Sequence, residues 1–278
     1  MLTVLDAISL AGDRAGQNDD AYGVAPGAAW VIDGATDLDA PLTDAASDAA
    51  WVARAANAAL HAHADIATVD PAALVTATAK TLRAAFARFA DPNATPAWRW
   101  PLAALLLVQE TADGLVLAEV GDCRLFAAGS VYGGRDRGKD DEIAAAAVHA
   151  ADSGGARYKS EQALAFLRSQ RGGFYDPGPD GHVRPPFGVD PRCGASLRLQ
   201  RIALPRPAHL LLATDGFAAL SDVYGAYDPA GLVVAARTLG LAALGQELRA
   251  IETSDAAGAR HPRWKRSDDA TAILLRLD

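Results

Sequence analysis

Short apolar runs that break off at an aspartate place the tightest limit on how this chain can fold. Ala28–Ile32 stops at Asp33-Gly34, Gly114–Val120 at Gly121-Asp122, and His209–Ala213 at Thr214-Asp215-Gly216, while Asp268-Asp269 opens the run Ala270–Leu277. Apolar runs of roughly 4–8 residues bounded by turn residues fit strands buried in a core. Even Ala103–Val108 is far too short to span a bilayer. A carboxylate at the mouth of a buried strand is held on rigid backbone, and a following glycine lets a ligand approach closely.

The remaining segments are placed around these strands. Thr3–Leu10, Ala21–Ala25, Leu102–Gln109, Arg124–Ala127 and Ser196–Leu204 also read as strands. Helices are expected over Asp44–Asp65, capped by Asp44, and from Asp70-Pro71 onward, a cap followed by proline at the first helical position. Leu74, Thr78, Leu82, Phe86 and Phe89 recur at helical spacing and mark a packing face. Two more helices are expected at Pro229–Leu239 and Leu241–Thr253. Residues 130–192 are irregular and rich in Gly, Pro, Asp and Arg, with short helices expected at Glu142–Ala150 and Glu161–Arg168. The simplest packing is a single α+β domain over 1–278. It is a four-layer α-β-β-α sandwich of two antiparallel sheets flanked by helices, with a flap-like insertion at about 130–192.

Composition narrows the chemistry. Of the 34 acidic residues 28 are Asp, against 26 basic residues and a net charge of −8. Aspartate is the residue of turns, caps and compact oxygen-ligand sites. The acidic balance argues against a nucleic-acid binder. Cys123 and Cys193 make neither a disulfide framework nor a thiolate metal motif, and the N-terminus shows no signal peptide, so a reducing cytoplasm is the expected setting. Converging carboxylates repel one another unless cations lie between them. All-oxygen ligands select hard ions such as Mg²⁺ or Mn²⁺ over zinc.

Five motifs in order carry a resemblance: Asn18-Asp19-Asp20-Ala21, Val31-Ile32-Asp33-Gly34-Ala35-Thr36, Gly121-Asp122-Cys123-Arg124, Ala213-Thr214-Asp215-Gly216-Phe217 and Ser267-Asp268-Asp269-Ala270-Thr271. Together they resemble the metal-dependent, type-2C protein serine/threonine phosphatases over roughly residues 10–278. The resemblance implies two divalent cations, Mn²⁺ or Mg²⁺, held by Asp20, Asp33, Asp215 and Asp268. Asp33 would bridge the two ions, and the Gly34 carbonyl would be a further ligand. It implies that Asp19 acts through bound water, that Asp269 fixes the last turn, and that Asp122 touches a third, weaker ion. The implied reaction is hydrolysis of phosphoserine or phosphothreonine on proteins by a two-metal-bridged water. The partner is then a phosphorylated protein, with no nucleic acid and no membrane, and the chain a monomer.

The chain departs from the family pattern in three places. Ala15 stands where the phosphate-gripping Arg is usual, with Arg14 one place earlier as the substitute. Ala35 stands where many relatives have His, and Ala219 where an acid is usual. These departures keep a second reading open, a pseudophosphatase that serves as a regulatory binding module. A third reading, nucleotide binding, rests on Gly133–Asp140. That stretch approaches a phosphate loop but ends in Asp140, whose charge would repel phosphate. The basic cluster Arg260, His261, Arg263, Lys265 and Arg266 reads either as a solvated loop or as a positive rim for phosphoprotein. His61 and His63 are poor joint ligands, Cys123 is expected to pack and not to attack, and Trp51, Trp98, Trp100 and Trp264 read as core or rim aromatics.

Overall fold

The structure is a computed structural model that describes residues 1–13, 17–63, 65–134, 161–261, 263 and 265–278. Its strands are β1 (Leu2–Leu10), β2 (Asp20–Ala25), β3 (Ala28–Gly34), β4 (Leu102–Thr111), β5 (Gly114–Val120), β6 (Arg124–Ala127), β7 (Ser130–Tyr132), β8 (Phe187–Gly188), β9 (Arg198–Ala203), β10 (Ala208–Ala213) and β11 (Ala270–Leu277). Its α-helices are α1 (Asp48–His61), α2 (Pro71–Phe86), α3 (Glu161–Gly173), α4 (Asp215–Asp222), α5 (Pro229–Leu239) and α6 (Leu241–Ser254). One sheet runs β1-β11-β10-β6-β7 and the other β2-β3-β4-β5-β9, with β8 added to β4. All pairings are antiparallel.

The period of two along each strand explains the layers. In β4, Leu105 and Leu107 face α1 and α2, together with Trp30 and Ile32 of β3. Leu106 and Val108 face the opposite sheet, where they meet Leu125, Leu210, Leu212, Ile273 and Leu275. Leu211 and Leu274 alternate with those residues and pack on Phe217, Leu232 and Leu244 of the other helix layer. Because the central strands are covered on both faces, they read as unbroken apolar runs and lack polar alternation. Each fully buried aliphatic side chain contributes about 1.5–3 kcal/mol. Such a core can carry a group of self-repelling acids at its edge.

Several expected helix boundaries move. The helix expected to start at Asp44 begins at Asp48 behind Ser47, whose hydroxyl accepts from Ala50 N at 2.9 Å. The segment before it is held as a loop by side chains. Asp48 accepts from Leu42 N and Thr43 N, and Asp37 accepts from Asp48 N and Ala49 N. At the far end the helix stops at His61, short of Asp65. Asp70 and Pro71 open α2 as expected, but Phe89 lies past the helix end and is 36 % exposed while Phe86 is buried.

The helix expected at Glu161–Arg168 continues to Gly173, and the one expected at Glu142–Ala150 lies outside the described residues. Helix α3 is strapped to the loop that leaves β3. Arg168 donates to Leu38 O at 2.7 Å and stacks on Trp98, and Arg171 donates to Thr36 O at 2.8 Å. Both cysteines are free and buried. Among the described residues no helix is long and apolar enough to cross a membrane.

Candidate metal centre

The hairpin β2–β3 places Asp20 directly opposite Asp33 in register. Asp19 precedes the first strand of that hairpin, and its backbone carbonyl accepts from Gly34 N at 3.0 Å. From the other sheet, β10 ends at Ala213, and Thr214 caps the turn into α4, whose first residue is Asp215. β11 starts just after Asp268-Asp269. Thr214 ties the two sheets together: its hydroxyl donates to Asp20 Oδ2 at 2.8 Å and accepts from Thr271 N at 3.0 Å.

Electrostatics report the convergence. The carboxyl of Asp33 is pushed well above the usual carboxylate range by burial, then by Asp20, Asp215, Asp122 and Asp268. Burial likewise raises Asp20, the bond from Thr214 opposing it and Asp269 and Asp268 adding to it. Asp215 is pushed up to about 7 by burial, Asp122 and Asp268, while a hydrogen bond with Asp33 pulls the other way. Acids from both sheets therefore share one field. Among the described residues, no three or more His, Cys, Asp or Glu side chains form a ready cage for one ion.

Fit to a cation can be judged on the donors themselves. Asp20 is only 6 % exposed, and among the described residues its Oδ1 has no hydrogen-bond partner. A buried carboxylate oxygen left unpaired is costly, and a hard cation is the partner its chemistry suits. The glycines beside the acids are equally constrained. A Cβ on Gly34 would stand 2.4 Å from Ala49 O, and one on Gly216 would stand 2.0 Å from Asp269 O. The backbone at Gly34 comes close to α1 and Asp19, and that at Gly216 close to the 268–269 turn, only because those side chains are missing.

Asp19 and Asp269 act on this frame from its rim. Asp19 Oδ1 accepts from Ser47 Oγ at 2.5 Å and Gln17 Nε2 at 2.9 Å, which joins α1 to the site. Asp269 accepts from Gly12 N at 2.7 Å and Asp19 N at 3.0 Å, so it pins the first loop to the last turn. Asp122 is exposed on the β5–β6 turn, and Arg124 beside it pairs with Asp222 at 2.8 Å. Burial and the surrounding acids raise the Cys123 thiol, in keeping with a packed residue and against a nucleophile. Arg14 and Ala15 lie outside the described residues, as do Trp264 and residues 135–140 of the stretch resembling a phosphate loop.

Three members of the basic cluster are paired with acids. Arg263 turns inward to buried Asp255 at 3.0 Å, and Arg266 pairs with Asp13 at 3.0 Å. Lys265 meets Asp268 at 2.6 Å. Sequence reasoning had no role for Thr214, Ser47 or Asp37. For Thr214, the one available signal was its place between a buried strand and an Asp-Gly.

Asp37 makes a separate prediction. Its carboxyl is raised to about 6, first by burial and then by Asp48, against the N–H groups at the start of α1. A carboxyl raised on folding binds protons more tightly in the folded chain, so stability falls as pH rises between about 4 and 6. Asp37→Asn keeps one acceptor oxygen and should flatten that part of the metal-free stability–pH curve. Urea melts on both proteins at pH 4.5 and 6.5 check it, and parallel curves would refute it.

By sequence alone, no protein-family model and no curated protein matches the chain. By structure it has the fold of serine/threonine phosphatases. The Mycobacterium tuberculosis phosphatase PstP/Ppp matches over 100 % of this chain and 99 % of its own, at 17 % identity and TM-score 0.56. The Mycobacterium smegmatis PPM phosphatase MsPP, solved with cacodylate, matches over 99 % and 100 % at 18 % identity and TM-score 0.55. A PstP catalytic domain solved with two manganese ions matches over 100 % and 99 % at 16 % identity and TM-score 0.53. The two-sheet sandwich expected from the sequence is therefore the architecture of this group.

Proposed function

We propose that the chain is a metal-dependent phosphomonoester hydrolase acting on phosphoserine or phosphothreonine of a protein partner. The observation that carries this reading is that Asp33 lies within reach of the charge of Asp20 from its own sheet and of Asp215 and Asp268 from the other, beside an Asp20 carboxylate oxygen that has no hydrogen-bond partner among the described residues. Asp20, Asp33, Asp215 and Asp268 with the Gly34 carbonyl would hold two divalent cations, Mn²⁺ or Mg²⁺. Bound there, such ions lower the pKa of a shared water and neutralise charge on the phosphoryl oxygens.

The chain's own residues supply the rest. Thr214 fixes Asp20, Ser47 orients Asp19, and Asp269 locks the first loop against the last turn. In this reading Asp19 would act through water and Asp122 would touch a further ion. Arg14 remains the proposed phosphate grip. The chain is read as one catalytic domain, a cytoplasmic monomer, with a flap-like insertion at about 130–192. Ala35 leaves the leaving group without a protonating side chain at that position, so a solvent proton would serve.

Release of inorganic phosphate from a phosphothreonine peptide should require Mn²⁺ or Mg²⁺ and stop on chelation. Turnover that survives chelation, or no turnover with either ion, would refute this reading. In the second case, retained phosphopeptide binding would favour the regulatory-module alternative.

A further inference from the structure

Arg263 and residues 265–269 are braced at several points around one side chain. Arg263 Nε donates to Arg266 O at 2.9 Å, and Arg263 Nη1 reaches buried Asp255 at 3.0 Å. Arg266 N and Nε donate to the two oxygens of Asp13 at 2.9 and 3.0 Å. Arg249 Nη2 donates to Asp268 O at 2.8 Å. Held between these anchors, Lys265 donates from Nζ to Asp268 Oδ1 at 2.6 Å. The two arginines meet acids outside the candidate centre, Asp255 and Asp13, whereas Lys265 is paired with Asp268. Burial would lower its ammonium's pKa, yet Asp268, with Asp33 and Asp215 behind it, raises it. The pair stands at the rim, its side chains 24 % and 38 % exposed, so the ammonium can swing into water without crossing the core.

Resting on the reading above, we propose that Lys265 is a built-in counter-cation of this carboxylate ring. It holds Asp268 in place of a divalent ion and must leave that carboxylate for the centre to load. Lys265 is thus a positioning residue that competes with metal and sets the concentration at which the centre fills. A like charge near a cation opposes binding by an amount that falls with distance and dielectric, and at a rim site about a ten-fold change in affinity is expected.

Titration of the full chain with MnCl₂ by calorimetry tests this on the wild type, Lys265→Met and Lys265→Arg. Lys265→Met should bind Mn²⁺ about ten-fold tighter, whereas Lys265→Arg, which keeps the charge, should stay near wild type. Without metal, Lys265→Met should melt below wild type, because Asp268 loses its partner, and saturating Mn²⁺ should close that gap. Equal or weaker Mn²⁺ affinity in Lys265→Met would overturn the proposal, even if KM for phosphopeptide rises. So would a Lys265→Met protein that stays unfolded at saturating Mn²⁺, since Lys265 would then hold the loop and not balance charge. A wild type that binds no Mn²⁺ would overturn the proposed function as well. Metal binding that the lysine substitution leaves unchanged would remove this inference alone.

Discussion

Asp33→Asn should abolish metal-dependent phosphopeptide hydrolysis, by about 10³-fold, with the fold intact. Groups one step removed from a metal cost roughly 10–100-fold when lost, and the role proposed for Asp33 is that of a direct ligand. It is opposite Asp20 in the hairpin register, and it feels Asp20, Asp215, Asp122 and Asp268 together. Asparagine keeps the shape and one acceptor but removes the charge that two cations would share. The same change relieves repulsion among the acids, so the metal-free variant should melt higher than wild type. Opposite signs for activity and metal-free stability mark a functional carboxylate, because a structural one would lose both. Steady-state phosphate release with Mn²⁺, beside thermal melts in chelator, checks the pair of effects. Unchanged turnover would remove Asp33 from the centre.

Gly216→Ala is expected to be the most damaging single-methyl change near the centre. Its Cβ would stand 2.0 Å from Asp269 O and 3.3 Å from Asp268 Cβ. The obstacle is backbone, so no rotamer change relieves it. Either α4 shifts, taking Asp215 with it, or the 268–269 turn shifts and loosens the hold of Asp269 on Gly12 and Asp19. Overpacking of this kind typically costs about 1–3 kcal/mol. Mn²⁺ affinity should fall with stability, because the two carboxylates that move come from different elements. Urea denaturation and calorimetry on the purified variant test this. A stable variant with normal Mn²⁺ binding would show that the helix and turn are not tightly coupled.

Much of the architecture was legible because central strands announce themselves. Leu105, Leu106, Leu107 and Val108 are all fully buried, and a run with no polar gap belongs between two layers. The helices were legible where a cap was chemically explicit, as at Asp70-Pro71 and Asp228-Pro229. They were misplaced where several caps compete. Asp44 looks like an N-cap in isolation, but Asp37 and Asp48 reach across the loop and give the role to Ser47. Such long-range choices leave no local pattern.

The acids of the candidate centre stood out in the sequence because each ends or opens a strand. Their supports did not. Thr214 bonds Asp20 across 194 positions, and Asp269 bonds Asp19 across 250. The basic cluster was visible as charge, yet its division into Arg263–Asp255, Arg266–Asp13 and Lys265–Asp268 depends on which acid each side chain meets in space.

The way the two sheets share the centre also sets when it can exist. Asp20 and Asp33 sit in a local hairpin, whereas Asp215 and Asp268 arrive on strands that pair with each other and with β1. During synthesis the first pair is on hand for more than two hundred residues before the last acid is made. A growing chain can fold its first hairpin without acquiring any capacity for chemistry, and must shield or protonate two close acids meanwhile. The proposed centre would thus double as a completion check, since its four acids come together only when β11 has been laid between β1 and β10.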